Sequence, residues 1–161
     1  MRRLIALAGL VGSFVLFAFT GWGNAAVPPA HAAATVPLVI LKAKDGETLA
    51  LARVMVHGRA FPFLIDTGSS STLVDVALAR KLHLKTIGRP IKVTGVGCSE
   101  TAREVRLSRW SIGGQPLPSI VGTSSIIAGT GGKAFGLLGS DVLSHFGAVN
   151  LDYAHRQLTL G

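Results

Sequence analysis

Asp66 stands at the end of the apolar run Phe61-Pro62-Phe63-Leu64-Ile65 and is followed by Thr67-Gly68-Ser69-Ser70. A carboxylate delivered by an apolar strand loses hydration in its ionised form unless donors meet it. Thr67, Ser69 and Ser70 offer hydroxyls. Gly68 lets the backbone turn so that amides can approach. The result is a fixed carboxylate, unlike a charge on a flexible surface side chain. One such group can take a proton from water but cannot at the same moment give one to the atom that water attacks. Two close carboxyls sharing a proton can do both. The chain has no second Asp-Thr-Gly. A two-fold axis that brings Asp66 of another copy opposite the first would complete the pair.

The elements that must hold this loop read as mostly β. Residues 36–41 form a short apolar run, and Asp45-Gly46 is a turn signal. Residues 48–56 alternate in part, His57-Gly58-Arg59 reads as a tight turn, and residues 60–65 run apolar to Asp66. This is a hairpin whose second strand delivers the carboxylate. Residues 72–74 are a short strand candidate, and Asp75 is the N-cap of a helix over 75–82. Residues 91–94 and 101–107 suggest a hairpin with Gly95-Val96-Gly97 at its tip. Residues 110–112 and 117–121 suggest a third hairpin around Gly113-Gly114. Residues 122–133 are rich in Gly, Ser and Thr and read as a loop. The compact run 135–138 precedes a short helix over 140–146, with Ser140 or Asp141 as its cap. Residues 148–152 and 157–160 form a last hairpin. Many short strands with one or two short helices predict a mainly β domain, closed into a barrel or sandwiched.

Before this domain lies a leader. Arg2 and Arg3 are basic, residues 4–19 are apolar with small interruptions, and Pro28-Pro29-Ala30-His31-Ala32-Ala33-Ala34 is rich in small residues. That order predicts a signal peptide over 1–34, with cleavage near Ala32 or Ala34, and a mature domain over 35–161. If the leader is retained, residues 4–22 become a signal anchor and a membrane association. Either way the chain is expected outside the cytoplasm, in a periplasm, cell envelope or medium. The formal net charge is +8, from 16 Lys and Arg against 8 Asp and Glu. These basic residues are spread along the chain with no dense run or aromatic interleaving, which argues against a nucleic-acid partner. Cys98 is the only cysteine, so no intrachain disulfide forms.

With Asp66 placed on its loop, the segment 63–70, Phe-Leu-Ile-Asp-Thr-Gly-Ser-Ser, resembles the catalytic loop of aspartic peptidases. The later segment 135–143, Phe-Gly-Leu-Leu-Gly-Ser-Asp-Val-Leu, is similar to the second hallmark of the single-domain, retropepsin-like members. The likeness spans roughly residues 47–160. It implies a retropepsin-like closed β-barrel of the size of one pepsin lobe. It also implies an exported aspartic endopeptidase that cleaves polypeptides as a homodimer and needs no cofactor or metal. In that family Asp66 would be the catalytic carboxylate. Thr67 would hydrogen-bond across the dimer axis, Gly68 would permit the turn, and Ser69 would support the carboxylate. Gly95, Val96 and Gly97 would form the tip of a flap over substrate. Retroviral members dimerise partly through interleaved chain ends, and this chain ends in the apolar strand 158–160.

Other candidates have plainer readings. Asp75 and Asp141 suit helix starts, where a negative charge is favoured. Asp152 suits a hairpin end. His57, His83, His145 and His155 are scattered without a ligand pattern. Ser69, Ser70 and Ser71 lack the Gly-x-Ser-x-Gly elbow of a serine nucleophile. No P-loop, dinucleotide fingerprint or metal-ligand cluster occurs in the sequence. Two alternatives remain open. The fold could serve as a non-catalytic peptide- or protein-binding module, or a separate partner chain could supply the second carboxylate.

Overall fold

The computed structural model describes residues 33–42, 46–95 and 98–161. The expected leader lies outside the described residues apart from Ala33 and Ala34. Asp45 of the first turn and Val96 and Gly97 of the expected flap tip also lie outside them.

Strands dominate, as expected. β1 (Ala34–Lys42), β2 (Thr48–Val56) and β3 (Arg59–Ile65) form an antiparallel meander. β1 begins at Ala34, which is buried opposite Leu160, so the folded unit includes the last residue assigned to the leader. The β2–β3 connection is the two-residue loop His57-Gly58, with φ of 49° and 76°. Positive φ at both positions is the type I′ geometry whose twist matches a tight hairpin. It sets the register in which Val56 faces Arg59, and β3 ends at Ile65, just before Asp66.

β4 (Leu73–Asp75) leads into helix α1 (Val76–Lys81). Asp75 is its N-cap, accepting from the Ala77 amide at 2.8 Å. The long hairpin β5 (Thr86–Gly95) and β6 (Cys98–Leu107) follows. It begins earlier than the sequence suggested, because Gly88 and Pro90 hide the first part of β5. The register shifts between Ile87 and Ile91, as a bulge does.

Next come β7 (Trp110–Ile112), β8 (Gln115–Pro116) and β9 (Ile120–Ser125). The third hairpin is therefore only β7 and β8, and the supposed loop from residue 122 begins as a strand. The second half of β9, residues 122–125, has no large apolar side chain and is held as a strand because β6 and β4 pair with its two edges. Backbone bonding rather than apolar side chains defines it. Composition alone reads such a segment as loop.

β10 (Gly136–Leu138) precedes α2 (Ser140–Leu143), which continues as a 3-10 turn over Ser144–Phe146. The α2 N-cap is Gly139 and not Ser140 or Asp141. Both of those side chains are engaged elsewhere, as described below. β11 (Val149–Asp152) and β12 (Gln157–Leu160) form the closing hairpin.

The strands run in one path, β11-β12-β1-β2-β3-β10-β4-β9-β6-β5, with β7 and β8 attached beside β2. The expected closure into a barrel is corrected by this order. β11 and β5 are its two ends, with no ladder between them among the described residues. Pro90 in β5 has no amide to donate, which suits a strand with a free edge. One core runs beneath the sheet. Phe63, Leu78, Leu107, Ile112, Leu138, Leu143, Leu158 and Leu160 are fully buried in it.

Candidate active site

The Asp66 loop is held by a three-strand arrangement. β10 lies between β3, to which it is parallel, and β4, to which it is antiparallel. The chain leaves β3 at Ile65, forms the loop and returns as β4 on the far side of β10. The loop is thereby pinned at both ends. The Asp66 amide donates to the Leu138 carbonyl at 3.1 Å, which extends the β3–β10 ladder by one residue.

The Asp66 side chain is half-buried. Its Oδ1 accepts from the Gly68 amide at 2.9 Å, and its carbonyl accepts from the Ser69 amide at 3.3 Å. The expected turn at Gly68 is present. A Cβ there would lie 3.3 Å from Asp66 Oδ1, so the missing side chain lets the amide reach the carboxylate. Thr67 and Gly68 are exposed. The Thr67 hydroxyl has no partner among the described residues.

Ser69 does not support the carboxylate as expected. Its hydroxyl donates to the Ser71 carbonyl at 2.8 Å and accepts from the Ser71 amide at 3.4 Å. A short side chain closing on backbone two residues ahead is the local preference of serine in loops. Ser69 acts through its backbone instead. Its carbonyl accepts from both the amide and the hydroxyl of Ser140, at 2.8 and 2.9 Å.

Two residues important to the loop were not singled out for it from the sequence. Thr72 is fully buried, and both of its polar backbone groups and its hydroxyl are bonded. Asp141 Oδ2 accepts from the Thr72 amide at 3.0 Å, and Oδ1 accepts from its hydroxyl at 2.8 Å. The same hydroxyl accepts from the Gly139 amide at 3.2 Å, and the Thr72 carbonyl accepts from Thr123 at 3.1 Å. Thr72 thus ties the Asp66 loop to α2 and to β9. Asp141 does sit in the first turn of a helix, as read, but its carboxylate serves the loop. The sequence signal was a Thr entering an apolar strand, since a buried hydroxyl requires a partner.

Close packing explains the glycines of the second segment. A Cβ on Gly136 would lie 2.1 Å from the Phe63 ring, and one on Gly139 would lie 2.7 Å from the Ser71 backbone. No side chain fits at either contact without a shift, so β3, β10 and the loop approach as closely as they do.

The expected flap corresponds to the β5–β6 hairpin, whose last described pair is Gly95 with Cys98. β6 pairs with β9 and β9 with β4, so the hairpin is connected to the strand that leaves the Asp66 loop. Val96 and Gly97 lie outside the described residues. No group of three or more His, Cys, Asp or Glu suited to a metal ion occurs among the described residues.

The sequence profile of a family described as Aspartyl protease matches residues 52–142, from within β2 to within α2. A search of curated proteins found no match. Among solved structures, a retropepsin-like aspartic protease from Rickettsia conorii is similar, with a TM-score of 0.52 and 22% identity. The alignment covers 80% of this chain and 90% of that chain. At that identity the likeness speaks for the fold, and the profile speaks for descent. The chain belongs to the aspartyl protease family and has a retropepsin-like fold.

Proposed function

We propose that this protein is an aspartic endopeptidase whose active site is formed by Asp66 from two copies of the chain. The observation that carries this reading is the Asp66 carboxylate, fixed by the Gly68 amide and left half-open beside an exposed Thr67. The other carboxylate close in sequence to the second motif, Asp141, is engaged by Thr72. A second free carboxyl then comes most simply from a symmetric copy.

In this mechanism the ionised carboxylate takes a proton from water as the water oxygen bonds to the peptide carbonyl carbon. The protonated partner gives its proton to the carbonyl oxygen. The tetrahedral intermediate collapses as the C–N bond breaks and a proton passes to the leaving amine. Each carboxyl ends in the state needed to begin again after proton exchange. Turnover falls at rising pH as the shared proton is lost. The substrate lies extended beneath the β5–β6 hairpin, and the leader directs the protein out of the cytoplasm.

The test is hydrolysis of a mixed peptide library by wild type and Asp66→Ala at two protein concentrations, from acidic to neutral pH. Cleavage by wild type alone, with specific activity rising with concentration, supports the proposal. A folded wild type that cleaves nothing under any condition overturns it in favour of a binding module or a missing partner chain.

A further inference from the structure

A cavity apart from the Asp66 loop lies between α1 and the β5–β6 hairpin. Its volume is about 710 Å³. That volume falls within the range of about 300 to 1,000 Å³ that small-molecule sites occupy.

Its polar lining is one-sided. Arg80 of α1 and Arg103 of β6 supply the cationic groups, His83 just beyond the helix adds an imidazole, and Thr86, Thr101 and Ser124 add hydroxyls. No Asp or Glu is among the described residues that line it. Thr101, Arg103 and Val105 face the cavity as alternate residues of one strand. Glu104 therefore lies on the other face of β6, where its carboxylate approaches Gly88. Asp75, the acid nearest on the α1 side in sequence, is engaged in capping the helix. Neither Arg80 nor Arg103 has a carboxylate partner among the described residues.

Arginines set in a concave site without a counter-ion hold a positive potential there. Their planar donors match the oxygens of carboxylate and phosphate. The remaining lining is apolar, with Val76, Leu84 and Val105 among it. We propose that this cavity is a binding site for a small organic anion, a carboxylate or phosphate head carried on an apolar body. The inference is independent of the peptidase reading, since no residue of the Asp66 loop takes part.

Binding of phenyl phosphate, benzoate, inorganic phosphate and phenol to the full chain at low salt tests it by calorimetry. Four proteins are compared: wild type, Arg80→Gln, Arg103→Gln and Arg106→Gln. Arg106 lies on the same strand as Arg103, is exposed and does not line the cavity. It loses the same charge and serves as the control. Phenyl phosphate or benzoate should bind at one site per chain, and the tighter of the two identifies the head group. Inorganic phosphate should bind more weakly than phenyl phosphate, and phenol not at all. Affinity should fall about tenfold in Arg80→Gln and in Arg103→Gln, the loss of one charge-assisted contact, and hold in Arg106→Gln. Equal losses in all three variants would mean only diffuse attraction to a basic surface and would overturn the site. So would unchanged affinity in both cavity variants, or no saturable binding of either organic anion.

Discussion

Asp141 grips Thr72 at two atoms across 69 positions of sequence, accepting from its amide at 3.0 Å and from its hydroxyl at 2.8 Å. This pair fixes where the Asp66 loop ends. Ser140 fixes the same loop from the same helix turn by donating twice to the Ser69 carbonyl. The first turn of α2 is therefore a clamp on the loop that carries the candidate catalytic carboxylate. The helix is short, and its value to the site lies in these polar contacts more than in its length.

Asp141→Ala should be costly for that reason. It leaves a buried hydroxyl and a buried amide without their acceptor, and hydrogen bonds to a charged group contribute about 1.5–3 kcal/mol each. We expect a loss of about 3 kcal/mol in urea unfolding, with a fall in any Asp66-dependent turnover. Thr72→Val should lose part of this, and Thr72→Ser should retain most of it. A midpoint for Asp141→Ala equal to wild type would show that the clamp does not stabilise the fold.

Gly136 and Phe63 give a second test, through packing. A methyl group on Gly136 would sit 2.1 Å from the ring of Phe63, itself fully buried. Overpacking of this kind costs about 1–3 kcal/mol, and here strands β3 and β10 have no slack. Gly136→Ala should be destabilised by about 3 kcal/mol on that scale. Phe63→Leu makes room at the contact, so the double variant should lose less than the two single variants together. Additive losses would place the strain elsewhere.

Much of this arrangement was legible in the sequence, because the relevant signals are local. The β2–β3 hairpin shows in its alternation and in His57-Gly58, and Asp66 follows from where β3 must end. Asp75 was read correctly as a cap, since a cap contact spans two residues. The misreadings have a common cause. Ser69 was expected to reach Asp66, and Gly139 was not expected to cap α2, because each choice depends on partners distant in sequence. Thr72 and Asp141 find one another only when β10 separates β3 from β4. β9 read as loop because its stability comes from two neighbouring backbones. The open path of the sheet was equally hidden, since pairing of the chain's outer strands leaves no mark in either one.

Asp152 and His155 close the last hairpin and give a pH-dependent test. The His155 amide donates to Asp152 Oδ1 at 2.8 Å, and His155 Nδ1 lies 2.6 Å from Oδ2. The backbone donor first, and the ring second, hold the Asp152 carboxyl below its ordinary value. A carboxyl lowered in the folded state favours folding when ionised. Its contribution is present above the unfolded value, about 3.9, and is lost as pH falls through the lower folded value. The stability gap between wild type and Asp152→Asn should therefore narrow as pH is taken from 6 toward 2. Urea midpoints across that window measure it. A gap that stays constant would mean the charge on Asp152 plays no part.

The proposed dimer makes a sharper demand, because β12 is already occupied. Its two edges pair with β1 and β11 of the same chain, and Leu158 and Leu160 are 0% exposed. A subunit contact built on this chain end would have to break those ladders first. The exposed Thr67, without a partner among the described residues, is the better candidate for a contact across the axis. Thr67→Ala should leave the unfolding of dilute protein unchanged while weakening association, seen by sedimentation as a monomer persisting to higher concentration. Specific activity should then fall most at low concentration and recover as protein is added. Removal of residues 157–161 should act differently, unfolding the chain by exposing its core rather than yielding a folded monomer. If that truncation gives folded monomers and Thr67→Ala leaves association untouched, the copies meet through their chain ends, and β12 must exchange its partners to allow it.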